Sequence, residues 1–257
     1  MSVQFTILGC GSSLGIPRID GYFGKCDPKN KKNYITRCSA LISTHKSNIL
    51  IDTSPDIKSQ LISSKTKNID RVFFTHFHAD QTHGINELRL FYLKNKKKIP
   101  VYADKRTKNH LINSFGFCFK NSNSYPATLK MNDLKKMHNY KFGKEKIKIK
   151  SIPVQHGKIN SICYIINNKC AYAPDINKIY QKDLIHFKNL KYLVIDCLRY
   201  DPHPAHFNLV DVLNLIQIIK PQKTIITNLN NQIDYSAVKK ELPKNVIPAY
   251  DGLSFVI

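Results

Sequence analysis

Residues 72–84 read VFFTHFHADQTHG. An apolar run ends in His76, His78, Asp80 and His83, four metal-type side chains within eight residues. Side chains two apart on extended backbone point to one side. His76 and His78 at the end of a strand therefore present both imidazoles in one direction, and Asp80 carries the spacing into the turn. Neutral imidazole and carboxylate suit Zn²⁺ or a related divalent ion. One histidine would carry little weight. His-x-His-x-Asp directly after VFFT carries much more.

The surrounding chain alternates strand and helix patterns. VQFTIL (3–8) alternates as a strand does. The glycine-rich turn GCGSSLGIP follows it, and no helix pattern comes next, which excludes a dinucleotide fingerprint. Residues 18–37 are polar and basic and read as a loop. SALIS (39–43) and NILID (48–52) read as a hairpin joined by THKS. SPDIKSQLISS (54–64) reads as a helix with Pro55 near its first turn. RVFFT (71–75) is a buried strand and GINELRLFYLK (84–94) an amphipathic helix. IPVYA (99–103) is a strand, KRTKNHLINSF (105–115) a helix, and residues 116–145 show no clear pattern. KIKIKSIPV (146–154), SICYII (161–166), KCAYA (169–173) and KYLVID (191–196) are strands. NLVDVLNLIQIIK (208–220) is a helix whose Asn208 and Asp211 resemble a capped start. TIIT (224–227) is a strand, YSAVKKEL (235–242) a helix and LSFVI (253–257) the closing strand. Both halves mix strands and helices, with no repeat and no linker. An α/β layered domain over residues 1–257 is the expectation.

At 257 residues, 42% of them hydrophobic, the chain is long and apolar enough to bury a sizeable core. No apolar stretch is long enough to span a membrane. No basic segment precedes a long apolar one at the start, so a cytoplasmic protein is expected. The seven cysteines are scattered, with no CxxC pair, which argues for a reduced compartment and against a cysteine-built zinc site. The net charge of +22 is carried mainly by lysine. It can steer an anionic substrate, and abundant Lys, Asn and Ile together also reflect an AT-rich coding bias. Specific nucleic-acid binding is not favoured by charge alone.

Further acceptors stand at strand ends. His156 follows SIPVQ, Asp175 follows KCAYAP, and His206 lies in DPHPAHFNL just before a helix. Each alone reads as a loop residue; in this order they form a set. With FTILGCGSSLGIP, LIDTSPD, FTHFHADQTHG, VQHG, YAPD and VIDCLRY, they make the chain resemble the metallo-β-lactamase fold superfamily of metal-dependent hydrolases over nearly its whole length. GCGSSLGIPR, GINELR after the histidines and AHFNL before the late helix are similar to the phosphoribosyl 1,2-cyclic phosphate phosphodiesterase branch.

The resemblance implies a four-layer αββα sandwich with the site at the loop edge between two sheets. It implies that His76, His78 and His156 hold a first metal, that Asp175 bridges two metals, and that Asp80 serves the second. It further implies that Asp52 supports the metal loop through hydrogen bonds and that His206 lies near the scissile phosphate. Two positions depart from the family pattern. Gln81 stands where a histidine usually follows Asp80, and Asn228 stands where one usually ends the TIIT strand. Both belong to the second metal. Zn²⁺ is therefore expected at the first position. The second is weakened, empty, or taken by a harder ion such as Mn²⁺ on oxygen ligands. His83 is assigned to helix capping or to supporting the ligands. Only Cys26 and Cys38 lie in the loop where this branch often carries a structural zinc, so none is expected.

The favoured activity is hydrolysis of a small phosphodiester, cyclic or linear, by metal-activated water. Asp80 is the candidate general base and His206 the candidate proton donor. Arg37 is either a phosphate contact or a structural ion pair. An RNA-processing nuclease of the same superfamily is the alternative, supported by the charge and opposed by the lack of a long inserted arm. A degenerate, non-catalytic metal binder is the third reading, prompted by Gln81 and Asn228. A homodimer is compatible with the sequence, which shows no interface for it.

Overall fold

The computed structural model describes residues 3–122 and 125–257. Among them, two seven-stranded sheets form. The first has the order β14 (Ser254–Val256), β1 (Gln4–Gly9), β2 (Ser39–Ser43), β3 (Asn48–Ile51), β4 (Arg71–Phe73), β5 (Ile99–Ala103) and β6 (Leu129–Asp133). The second has the order β13 (Val246–Pro248), β12 (Lys223–Thr227), β11 (Tyr192–Asp196), β10 (Cys170–Ala173), β9 (Ile159–Ile166), β8 (Glu145–His156) and β7 (Met137–Phe142).

The apolar pattern explains the layering. Residues of both sheets, among them Phe5, Ile42, Ile51, Val154, Tyr164 and Ile225, share one buried cluster. The opposite face of the first sheet, with Leu41, Leu50 and Val72, packs against Ile57, Leu61, Phe91 and Leu111 from its helices. The helix Leu209–Ile219 covers the second sheet through Val212, Ile216 and Ile219. This is the αββα sandwich. Fully buried strands such as YLVID and TIIT read as continuous apolar runs because both their faces are covered.

Topology brings the strand ends together. β3, β4, β5 and β6 run parallel, as do β10, β11, β12 and β13. β8 and β10 both run antiparallel to β9, so β8 shares the direction of β10. The carboxyl ends of these strands therefore meet one edge of the sandwich. Cross-sheet bonds join the two sheets there: Ile162 N–H to Thr75 O at 2.9 Å, and Leu229 N–H to Cys10 O at 2.9 Å.

Several local expectations differ from the structure. The span 84–94 is a 3₁₀ turn, Ile85–Leu88, followed by a helix, Arg89–Asn95. The unpatterned region 116–145 contains a short helix, Gly116–Phe119, and the strands β6 and β7. β6 and β7 are edge strands, and edge strands carry polar side chains that blur alternation. The capped helix start is present as expected: Asn208 and Asp211 form a reciprocal capping box. No helix among the described residues is long and apolar enough to cross a membrane.

Candidate metal centre

His76, His78 and His156 are brought together although β4 and β8 lie in different sheets. Their nitrogens converge: His76 Nε2 is 2.9 Å from His78 Nδ1, and His156 Nε2 is 3.4 Å from the same atom. Nitrogens about 2.0–2.1 Å from a tetrahedral zinc sit roughly 3.3 Å apart. The triad therefore has the spacing of ligands around one small cation. Asp175 forms a second group with His156 and His206, ligand atoms within 4.8 Å of one another. Asp80 joins neither group; Gln81 links it to the site.

The tautomers follow from the outer partners. Asp52 has lost its solvent contact and takes a left-handed backbone, φ 62°, which Asp tolerates better than most residues. Its carboxylate accepts the Thr75 backbone N–H and the Thr75 hydroxyl, each at 2.8 Å. The Thr75 oxygen, its proton committed to Asp52, accepts from His76 Nδ1 at 3.1 Å. That leaves the lone pair of His76 on Nε2, facing the centre. His156 Nδ1 donates to the Ala205 carbonyl at 2.8 Å, so its lone pair is also on the inward Nε2. Such partners fix ring orientation and tune a metal ligand. Gly157 makes the Ala205 contact geometrically feasible: it has φ +59°, and a Cβ there would meet Ala205 Cβ at 3.0 Å.

Burial holds these imidazoles neutral. Burial and then His206 push the His156 ring down to about 4, and burial with His156 and His78 holds His76 well below its ordinary value. This gives a sign for metal-free protein. Below about pH 6.5 the unfolded chain takes up the proton that folded His156 refuses, so the contribution of His156 to stability falls as pH drops from about 6.5 to about 4, by on the order of 3 kcal/mol. Burial lifts Asp196 and Asp251 to about 6, which acts with the opposite sign over the same window. The test is therefore a difference: the urea midpoint of chelator-treated wild type, taken relative to His156→Phe, should decline from about pH 6.5 to about pH 4. A flat difference would remove the buried neutral histidine.

Around the triad lies a network that local sequence does not show. His206 Nδ1 donates to Asp196 Oδ2 at 2.6 Å, and Asp196 Oδ2 also accepts the Ile176 N–H at 3.0 Å. Burial opposes a charge on His206, but Asp196 outweighs it and lifts the imidazole to about 9. Burial lifts Asp80 above the ordinary carboxylate range and Asp175 well above it. Gln81 and Asn228, both essentially inaccessible, face Asp175 from two sides.

Other readings resolve differently. Arg37 is an ion-pair residue: Nε and Nη2 each reach an Asp56 oxygen at 2.6 Å, and its backbone N–H reaches the same carboxylate at 2.9 Å. His83 is exposed at a helix C-cap, with its ring on Phe115 and outside the site. Cys26 and Cys38 have separate surroundings, the Ile233 carbonyl and the Thr227 side chain. Asp196 and His203 belong to the site although the sequence pattern does not single them out. Asp196 ends an apolar strand as Asp52 follows NILI, and that parallel is the available signal. His203 lies three residues before His206, and the two rings are 4.9 Å apart. A cavity of about 490 Å³ opens over the centre, its wall including Ser12, Arg18, His78, Asp175, His203 and His206.

Residues 47–227 match the β-lactamase superfamily domain. The chain belongs to the metallo-β-lactamase fold superfamily, in its PhnP-like branch. Its structure superposes on a diphosphatase from the PhnP family with TM-score 0.88, at 25% identity, over 100% of this chain and 98% of that one. Zn²⁺-bound PqqB from Methylobacterium extorquens has TM-score 0.74 at 15% identity, over 99% of this chain and all of the other, a likeness of fold. An octanoyltransferase of Porphyromonas gingivalis is 27% identical over 256 residues. That match takes 98% of this chain, which spans about half the length, 51%, of that relative. The superfamily implies a divalent cation, and the triad, with the lone pairs of buried His76 and His156 turned inward beside half-buried His78, fits one.

Proposed function

We propose that the protein is a metal-dependent phosphodiesterase for a small phosphodiester, cyclic or linear. The observation that carries this is the convergence of His76, His78 and His156 beneath a cavity of about 490 Å³ that also holds Asp80, Asp175 and His206. That volume suits a small phosphorylated molecule. The likeness to a PhnP-family diphosphatase supports hydrolysis at phosphorus. Zn²⁺ is the proposed ion, because three imidazoles match its ligand preference.

A divalent cation held by His76, His78 and His156 would acidify a water and offset phosphate charge. The protein's own residues do the rest. Asp80, raised by burial and set at the cavity wall, receives the proton of the attacking water. His206, oriented by its 2.6 Å bond to Asp196, gives a proton to the departing oxygen. The proposed reaction needs no membrane or nucleic-acid partner.

Arg18 is the one Lys or Arg among the described residues lining the cavity. It is half-exposed and pairs with Asp20 at the rim, free to exchange that partner for a phosphate oxygen. Arg18→Ala should raise KM by roughly tenfold, the loss of one charge-assisted contact, with kcat little changed. An equal fall in kcat would place Arg18 on the transition state instead.

The deciding assay offers metal-loaded protein cyclic and linear phosphodiesters beside single-stranded RNA. Turnover of small diesters is expected. Cleavage of RNA alone would replace this reading with an RNA-processing nuclease.

A further inference from the structure

The family pattern sets a second cation against Asp80 and Asp175. The residues present do not fit it. We infer that amide hydrogens from Gln81 and Asn228 stand in that cation's place, so that this chain holds a single divalent ion per molecule. The inference rests on the reading of His76, His78 and His156 as the metal-holding triad.

The hydrogen bonds decide it. Gln81 Nε2 donates to Asp175 Oδ2 at 3.0 Å and reaches Asp80 Oδ2 at 3.4 Å. Asn228 Nδ2 donates to Asp175 Oδ1 at 3.3 Å and to Asp196 Oδ1 at 3.1 Å. An amide nitrogen carries two hydrogens. Gln81 thus places its hydrogens on two carboxylates and Asn228 on two, Asp175 being common to both, with His206 Nδ1 also 3.2 Å from Asn228 Nδ2, and both oxygens of Asp175 are taken. A cation entering between Asp80 and Asp175 would have to displace these donors.

Orientation is enforced rather than chosen freely. Reversing Gln81 would turn a carbonyl oxygen onto carboxylates already crowded in a dry site. Reversing Asn228 would turn one onto Asp175 and Asp196 with only His206 Nδ1, whose hydrogen is already given to Asp196, as a nearby donor. Low dielectric strengthens both repulsive contacts. Gln81 is 0% and Asn228 1% exposed, so water cannot take over their bonds. Asn228 is held in a left-handed turn, φ 60°, at the end of β12. The backbone of Gln81 is pinned by bonds from its N–H to His78 O and from Thr53 N–H to its carbonyl. The orientation leaves one orphan, since Gln81 Oε1 is buried without a partner. An unpaired neutral acceptor costs less than leaving charged neighbours without their donors.

The two substitutions also act as a pair. They approach Asp175 from different sheets, Gln81 after β4 and Asn228 after β12, and each satisfies a different oxygen. Histidine at either place would carry a lone pair able to bind a cation; an amide nitrogen has none.

The test is metal stoichiometry on full-length protein stripped by chelator and titrated with Zn²⁺ and then with Mn²⁺. It is read by calorimetry and by elemental analysis after desalting. The wild type should retain one equivalent, with no second equivalent from excess Mn²⁺. The double variant Gln81→His with Asn228→His should retain two. Gln81→Glu, near in shape, removes the donors and adds a third carboxylate, so it should take up a second Mn²⁺. Two equivalents in the wild type would overturn the inference and leave the proposed function standing. None would overturn both. A single equivalent in each folded variant would show that the amides do not decide occupancy, and would overturn it as well.

Discussion

Replacing His76 by alanine should abolish retained metal and lower phosphodiester turnover by at least about 10³-fold, the scale of losing a metal that acidifies water and shields phosphate. Two imidazoles remain, too few for a closed site on a four-coordinate ion. Melting separates this from simple misfolding. Bound metal at about 100–1,000 times its dissociation constant stabilises the fold by about 3–4 kcal/mol. At about 2–4 °C per kcal/mol for a chain of this size, chelator should lower the wild-type midpoint by roughly 5–15 °C. The variant should melt near the chelated wild type and should not respond to added metal. His156→Ala should behave alike, because the two inward Nε2 atoms have equivalent roles. Asp175→Ala should also lose turnover, but it should keep metal, since the triad remains and Asp175 is held by amides. A His76→Ala protein with wild-type turnover would end the metal reading.

What the sequence discloses follows from which contacts are local. His76, His78 and Asp80 share one strand end, so their spacing alone places them on one side. The hairpin at THKS is legible for the same reason, and Ser43 pairs with Asn48 as the short turn requires. Arg37 is ambiguous in sequence because its partner, Asp56, is 19 residues away, beyond the β2–β3 hairpin. Asp196 is hidden because its value lies in holding His206, and nothing in VIDC shows that contact. β6 and β7 are hidden because only Leu129 and His138 in those strands are buried. Gln81 and Asn228 are recognisable as unusual. Which of their two amide atoms faces Asp175 depends on carboxylates contributed by other strand ends.

Asp52→Asn should weaken metal binding by about 10–100-fold, the range for losing the partner that orients a ligand, while leaving the fold nearly intact. The backbone permits it, since Asn is as tolerant as Asp of the left-handed φ of 62° at this position. The hydrogen-bond chain does not. Asp52 accepts two bonds from Thr75, which leaves the Thr75 oxygen to accept from His76 Nδ1. With asparagine, the carbonyl can still accept the Thr75 backbone N–H. The amide nitrogen must then donate to the Thr75 hydroxyl, whose own proton turns toward His76 Nδ1. The imidazole proton is driven to Nε2, the atom that faces His78 at 2.9 Å and the metal position. Metal must now displace that proton and reverse the chain of donors. Competition against a chromophoric chelator measures the change in affinity, and Thr75→Val, which removes the relay while keeping the carboxylate, should reproduce most of it. An unchanged dissociation constant in both variants would mean that packing alone orients His76.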